Sequence, residues 1–378
     1  MSRTSKTNPT LEALVALSLI HGLGARRVRL LIRHFNDPAS IFKRTKAELR
    51  AVEGIGEASA LAVLSFKDWA AVEKLIAQTD RNGSQLITLM DDRYPTQLKQ
   101  IYDPPVLLWV KGNPEALSKP GIAVVGTRQS TSYGKKITQQ LVQQLVQQDL
   151  CIYSGLAYGI DVTAHQMALE HDGCTVAVLG SGIDVLYPSR HAAVANQIIA
   201  SGGAVLTECP PGTPPDAGNF PLRNRIVSGL SLGVLVTESA IQGGSMITAD
   251  LALDQNREVF AAPHALDNVQ GSGCNYLIKN GAKLVQTVDD ILEELPLEHH
   301  ADTLSRADLP EPKHADWKLM DLDSESQALC RTLEEQSIQI DELADRLSMS
   351  TSQLLVLLLR LEMKGIVIQK AGKMFELA

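Results

Sequence analysis

The chain has 378 residues, 44% hydrophobic and 21% charged, enough for two to three domains with sizeable cores. This balance excludes a disordered chain or a fibre, and no apolar run approaches the ~20 residues of a membrane-spanning helix. The net charge of −8 does not exclude a polyanionic partner, because residues 289–345 hold 17 acidic and 4 basic side chains, a local −13 that leaves the rest at +5.

The first ten residues are polar, with no apolar signal-peptide core. The five cysteines (Cys151, Cys174, Cys209, Cys274, Cys330) are widely spaced and form no Cys-x-x-Cys pair. A disulfide framework or zinc site is therefore not expected, and a cytoplasmic setting is.

Residues 11–80 read as short apolar helices punctuated by glycine and proline, and residues 21–50 carry eight Arg and Lys side chains. Two Gly-x-Gly turns, Gly22-Leu23-Gly24 and Gly54-Ile55-Gly56, each link one such helix to the next. They suit a helix-hairpin-helix that offers backbone N–H groups to a phosphate, or ordinary tight turns between packed helices. Glu53 and Glu57 weaken the second copy as a phosphate contact.

From about residue 85 to 290, apolar strands alternate with amphipathic helices. Strands are predicted at 86–89, 106–110, 122–126, 150–154, 176–180, 204–207, 233–237, 259–262 and 283–285. The clearest helix is 135–148, where Ile137, Leu141 and Leu145 recur at four-residue steps. Alternation of this kind predicts βαβ units and a mostly parallel, Rossmann-like sheet covered on both faces. Residues 296–318 are polar and rich in proline, the pattern of a linker. Helices at 325–335, 339–347 and 352–364, followed by a hairpin at 366–370 and 373–377, predict a winged helix. The expected division is a helical domain over 1–80, an α/β domain over 81–295, the linker, and a winged-helix domain over 319–378.

The strand-to-helix loops carry the chemistry. Ligands of doubly wound sheets sit outside the carboxyl ends of the strands. There, Gly126-Thr127-Arg128-Gln129-Ser130 offers close backbone approach and, in Arg128, a planar fork for phosphate. Neither a Gly-x-Gly-x-x-Gly fingerprint nor a Walker A loop is present, so no nucleotide cofactor is expected. Ser154-Gly155-Leu156-Ala157-Tyr158-Gly159-Ile160-Asp161 forms the next such loop. Asp161 and His165 share a helical spacing but lack a third ligand for a metal, and Asp161 equally suits a helix start. The glycine-rich 180–184 loop fits ligand approach or tight packing. Asn219-Phe220-Pro221-Leu222-Arg223-Asn224-Arg225 joins an aromatic to two arginines, with no acidic residue between Ala217 and Thr237. Single-strand binders pair stacking rings with phosphate-neutralising cations in this way. Gly243-Gly244-Ser245 opens a further helix, where free N–H groups and the helix dipole favour an anion.

The motifs VVGTRQSTSYG (124–134), SGLAYGID (154–161), NFPLRNRIVSGLS (219–231) and ESAIQGGSMITADLALDQNREVFAAPH (238–264) occur in order over about 140 residues. In this the chain resembles the DNA-processing protein A (DprA/Smf) family. The resemblance implies an extended Rossmann-like core that dimerises, binds single-stranded DNA and helps load the RecA recombinase during natural transformation, without catalysis, metal or cofactor. It also implies an N-terminal helical (helix-hairpin-helix or SAM-like) domain and a C-terminal winged helix. By motif the DNA pocket would comprise Arg128, Ser130, Gly155, Phe220, Arg223, Asn224, Arg225, Gly243, Gly244 and Ser245. The family more often reads Ser-Gly-Ser where this chain has Gly243-Gly244-Ser245, which removes a hydroxyl donor but keeps the backbone donors. The alternative is a nucleotide-processing enzyme, such as a phosphoribohydrolase, on the same kind of core. That reading lacks its Pro-Gly-Gly-x-Gly-Thr-x-x-Glu motif here, since Glu238 precedes the glycines, and no nucleophile–base pair is evident.

Overall fold

The computed structural model describes residues 8–295, 317–320, 322–334, 337–370 and 372–377. Six helices come first: α1 (Pro9–Leu19), α2 (Gly24–Phe35), α3 (Pro38–Ile41), α4 (Lys46–Arg50), α5 (Glu57–Ser65) and α6 (Trp69–Arg81). Asn8 caps α1, and Thr45 with Glu48 forms a capping box on α4. Gly22, Gly24 and Gly54 all take positive φ, so both predicted turns need glycine for backbone reasons alone.

The central layer runs β1 (Gln85–Thr88), α7 (Thr96–Lys99), β2 (Leu107–Gly112), β3 (Gly121–Gly126), α8 (Ser132–Gln147), β4 (Cys151–Ser154), α9 (Ile160–Glu170), β5 (Thr175–Val178), α10 (Ala192–Ala200), β6 (Ala204–Thr207), α11 (Asn219–Leu230), β7 (Gly233–Glu238), α12 (Gly244–Asp254), β8 (Glu258–Ala261), α13 (Ser272–Lys279), β9 (Lys283–Leu284) and α14 (Asp289–Leu292). Each of the nine predicted strands is present, in the order β1-β2-β6-β5-β4-β3-β7-β8-β9. The sheet is parallel from β6 to β9, and β1 and β2 join antiparallel at one edge. Successive strands step outward from β3 to β6, and the chain then returns to place β7 on the other side of β3. That reversal is a topological switch point, where open α/β sheets hold ligands.

Each sheet face has its own core. Ile122, Val124, Ile152 and Phe260 pack on one side with Leu141, Val142 and Leu145 of α8. On the other side Ala123, Val125, Val176 and Val234 meet Ile226, Val227 and Leu230 of α11 and Ala249 of α12. The N-terminal helices continue a third core, reaching Leu107, Trp109, Val205 and α10. The Trp109 indole donates to the Thr79 hydroxyl at 3.1 Å, tying α6 to β2.

Residues 296–316 of the expected linker lie outside the described residues. Trp317, expected in that linker, instead packs against the C-terminal core from a single helical turn. The winged helix comprises α15 (Ser324–Leu333), β10 (Ile338–Gln339), α16 (Ile340–Leu347), α17 (Thr351–Met363), β11 (Val367–Lys370) and β12 (Met374–Leu377). Its sheet, in the order β10-β12-β11, contains one short strand that the apolar pattern does not announce. Ser350 and Gln353 form a capping box on α17. Within α17, Leu354, Leu357, Leu358 and Leu361 enter the core, whereas Leu355, Val356, Leu359 and Met363 face outward.

Candidate nucleic-acid interface

The loop after β3 is held rigidly by the strand across the switch point. Glu238, at the end of β7, is fully buried. One carboxylate oxygen accepts the Thr131 N–H at 2.8 Å, and the other accepts the Thr131 hydroxyl at 2.6 Å. Thr131 in turn accepts the Gly134 N–H and caps α8. The Thr127 N–H donates to the Glu238 carbonyl at 2.7 Å. Both ends of residues 127–131 are thus anchored on β7, leaving Arg128 to project between fixed points. Glu238 thus uses both carboxylate oxygens to hold this loop. The Gly159 turn closes on the same loop: the Ile160 N–H reaches the Thr127 carbonyl, a side chain at 159 would run into the Thr127 and Arg128 backbone, and its φ of +77° favours glycine in any case.

The 219–230 segment, a polar cluster ahead of the next strand in the sequence, is helix α11. Its first turn lies over the carboxyl ends of the central strands. The Arg128 guanidinium stands 5.3 Å from the Phe220 ring centroid, within cation–π range. The Tyr187 ring lies 5.8 Å from Phe220 and is exposed.

Arg223 points inward and is only 6% exposed. Its guanidinium occupies the space beside Gly155 that a side chain there would fill. Nε is buried with no hydrogen-bond partner, and among the described residues no carboxylate lies within ion-pair distance. Burial pushes its pKa down; Asp161 opposes that shift and Arg128 adds to it. Asp161 is buried and its carboxyl group is pushed up by desolvation, countered by Arg223 and by the backbone N–H groups of Ala157 and Gly155. Asp161 therefore serves the 155–161 loop, accepting the Ala157 N–H at 3.3 Å. His165 turns away to Thr175 at 2.7 Å. The two do not converge as ligands.

Four of the expected residues, Arg128, Gly155, Phe220 and Arg223, come together in this cluster. Ser130 lies beside it with its hydroxyl oxygen buried and unpartnered. Asn224 follows Arg223 on α11 and is half-buried. Arg225 departs from the expectation. Its side chain leaves the cluster and pairs with Glu208 at 2.6 Å and Asp103 at 2.9 Å. The acids that neutralise it come from elements distant in sequence, which a scan of residues 217–237 does not reach. Gly243, Gly244 and Ser245 open α12 beyond β7; Gly244 is unobstructed, while the Ser245 hydroxyl turns inward to donate to Ser239 at 2.7 Å.

Two contributors were not singled out from the sequence. Tyr187 extends the aromatic surface from the loop after β5. Tyr158 is exposed and sits edge-on against His191 at 4.9 Å. Together with Arg128, Ser130 and Lys135, Tyr158 lines a cleft of about 520 Å³ between α8 and α9. An exposed tyrosine inside a βα loop is the signal that marks both.

A doubly wound core with a cationic, aromatic cluster at its switch point, joined to a winged helix, defines a class that comparison makes specific. Residues 85–296 match the family DNA recombination-mediator protein A, and residues 313–373 match the DprA winged helix domain. The chain belongs to this DprA/Smf family. It is 37% identical over 295 residues to Protein Smf of Escherichia coli, covering 78% of each chain. The X-ray structure of DNA processing protein A from Streptococcus pneumoniae superimposes with a TM-score of 0.67 at 34% identity, covering 77% of this chain and 99% of that one. A second structure, of DNA processing protein A from Helicobacter pylori, is described for its single-stranded DNA binding mode. It matches with a TM-score of 0.50 at 31% identity, over 55% of this chain and 94% of its own.

Proposed function

We propose that the carboxyl edge of the sheet binds single-stranded DNA and that the chain acts as a non-catalytic recombination mediator. The observation that carries this reading is Arg223, a buried guanidinium that makes no direct ion pair, whose Nε has no hydrogen-bond partner and which only the buried Asp161 offsets at longer range. Burying a cation is costly unless an opposite charge arrives, and a phosphate meets that need at the mouth of the Gly155 loop. Arg128 supplies a second cation, while Phe220 and Tyr187 present faces on which unpaired bases stack. Stacking needs splayed bases, so the same surface favours single strands over duplex.

The mediator reading adds delivery of the strand to the RecA recombinase and a homodimer that links two short sites into one tighter binder. The family's description as a recombination mediator supports the first. The exposed apolar side chains Ile247, Leu253, Leu266, Val269 and Tyr276 on α12, α13 and the connection from β8 to α13 support the second. Titration of the purified protein with labelled single-stranded and duplex oligonucleotides at several salt concentrations tests the binding. Salt-dependent preference for the single strand is expected, and equal affinity for duplex overturns the site. RecA-driven strand exchange on single strands coated with single-strand-binding protein tests the mediator role, and absence of stimulation overturns it.

A further inference from the structure

Cys151 and Cys174 stand at opposite positions on neighbouring parallel strands. The β4–β5 register pairs Ile152 with Thr175, which sets the two preceding cysteines side by side at the amino-terminal ends. Their sulfurs lie 3.4 Å apart, with the Cys151 thiol donating to Cys174. Both cysteines are reduced. Neighbouring strands are about 4.8 Å apart, within the Cα separations that disulfides span, so closing the sulfurs to about 2.05 Å requires little movement. Cys151 is fully buried, whereas Cys174 follows the Asp172-Gly173 turn and is partly open to solvent.

We infer that Cys151 and Cys174 form a peroxide-reactive dithiol, in which Cys174 is the attacking sulfur and Cys151 resolves the product into a β4–β5 disulfide. An accessible thiolate with a second thiol in contact is the arrangement that oxidises selectively and reversibly. The Cys151 hydrogen bond, aided by the Lys119 charge and opposed by partial burial, brings the Cys174 thiol down to about 7. Burial pushes the Cys151 thiol well up, keeping it protonated as the donor. The remaining thiols contrast with Cys174: burial pushes Cys274 to about 12 and Cys330 to about 11, and raises Cys209 as well.

The chemistry balances with a hydroperoxide as oxidant. The Cys174 thiolate attacks one peroxide oxygen; the S–O bond forms, the O–O bond breaks, and the leaving alkoxide or hydroxide takes a proton. The Cys151 sulfur then attacks the Cys174 sulfur as its own proton leaves. The S–S bond forms, the S–O bond breaks, and the departing hydroxide is released as water. Two thiols are oxidised, and the peroxide is reduced to an alcohol, or water, plus water. A dithiol reductant reverses the result by exchange. The bond lies at the far end of β4 from Gly155, so this site is independent of the DNA surface.

The full chain treated with one equivalent of hydrogen peroxide at neutral pH tests this, with intact mass and peptide mapping as the readout. Loss of two hydrogen atoms, a Cys151–Cys174 linkage and recovery with dithiothreitol are expected. At neutral pH, Cys174 should alkylate at least about tenfold faster than Cys274 or Cys330. In Cys151→Ser, dimedone should trap a sulfenic acid at Cys174 that the wild-type chain does not accumulate. A linkage through Cys209, or no linkage, overturns the inference, and the wild-type map decides even if the variant does not fold.

Discussion

The guanidinium of Arg223 rests where a side chain on residue 155 would be, so glycine at 155 is the condition for a cation to reach the cleft floor. Gly155→Ala should therefore displace Arg223 without removing any charge. Single-stranded DNA affinity should fall about 10–100-fold in both Gly155→Ala and Arg223→Ala, the range of a lost hydrogen bond to a charged group. Arg223→Ala should also reduce the slope of log affinity against log salt by about one. Because Arg223 makes no direct ion pair and only offsets the buried Asp161 charge at longer range, its removal should cost less thermal stability than removal of Arg225. Oligonucleotide titration and a melting curve on the same samples check both halves; unchanged affinity in Arg223→Ala would refute the phosphate assignment.

Arg225 lies two residues further on and should behave in the opposite way. Its partners Glu208 and Asp103 keep part of their solvent contact, so breaking the pair should cost on the order of 2 kcal/mol, below the value for a fully enclosed pair. Burial raises the Glu208 carboxyl pKa, and Arg225 opposes that shift. Urea denaturation of Arg225→Ala should show the loss, with single-stranded DNA affinity within about threefold of wild type once the protein is folded. A large affinity loss at full stability would return Arg225 to the DNA site.

His165 gives acid sensitivity a definite origin. Thr175 donates its hydroxyl proton to the Ile152 carbonyl at 2.7 Å, so the His165 Nδ1 must donate to Thr175, leaving Nε2 bare and buried. Burial, reinforced by the nearby Arg223 charge, lowers its pKa to about 3. The unfolded chain takes up this proton near pH 6.5 and the native state does not. Stability contributed by neutral His165 is present above that pH and is lost as pH falls from about 6.5 toward 3, at up to about 1.4 kcal/mol per unit. Asp161, whose native pKa is raised, acts with the opposite sign. Urea midpoints measured across this range should be steeper in pH for wild type than for His165→Asn; identical slopes would exclude His165 as the source.

The exposed apolar surface over α12 and α13 predicts self-association. Leu266 is 98% exposed and Val269 74%, an arrangement a lone soluble domain rarely keeps. Light scattering should report twice the 40.9 kDa chain mass, and Leu266→Glu with Val269→Glu should return the single-chain mass. Long-oligonucleotide affinity should drop with dimerisation while short-oligonucleotide affinity holds. A wild-type monomer would end this reading.

The parallel strands β3 to β8 were legible because each is a short apolar run enclosed by turns, and a buried parallel strand needs nothing else to announce it, while β1, β2 and β9, toward the two sides of the sheet, showed through short apolar runs of their own. The four βα motifs could be placed for the same reason. Helix α11 was not legible: Pro221, Gly229 and the two buried arginines break the apolar period that marks a helix, and its stability comes from packing on the sheet. Nor could the fates of Arg223 and Arg225 be separated in sequence. They differ by two positions on a helix, which turns them to different sides, and the acids that claim Arg225 come from residues 103 and 208. The scaffold role of Glu238 depends on a strand pairing across the switch point, information that only the sheet order contains.

The winged helix bears on which domain holds the DNA. A groove-reading helix offers polar and basic side chains from its N-terminal half, yet the outward face of α17 is Leu355, Val356, Leu359 and Met363. Arg360 is paired with Asp323 at 3.2 Å, and α16 adds Asp341, Glu342 and Asp345, which repel phosphate. Such a face suits another apolar surface better than a polyanion. A chain ending at Leu295 should keep single-stranded DNA affinity within about threefold of the full protein, because Arg128, Phe220 and Arg223 all remain in place. Circular dichroism and a melting curve establish that the shortened core is folded before the titration is read. A tenfold or greater loss in a folded core would transfer the principal DNA contact to the winged helix.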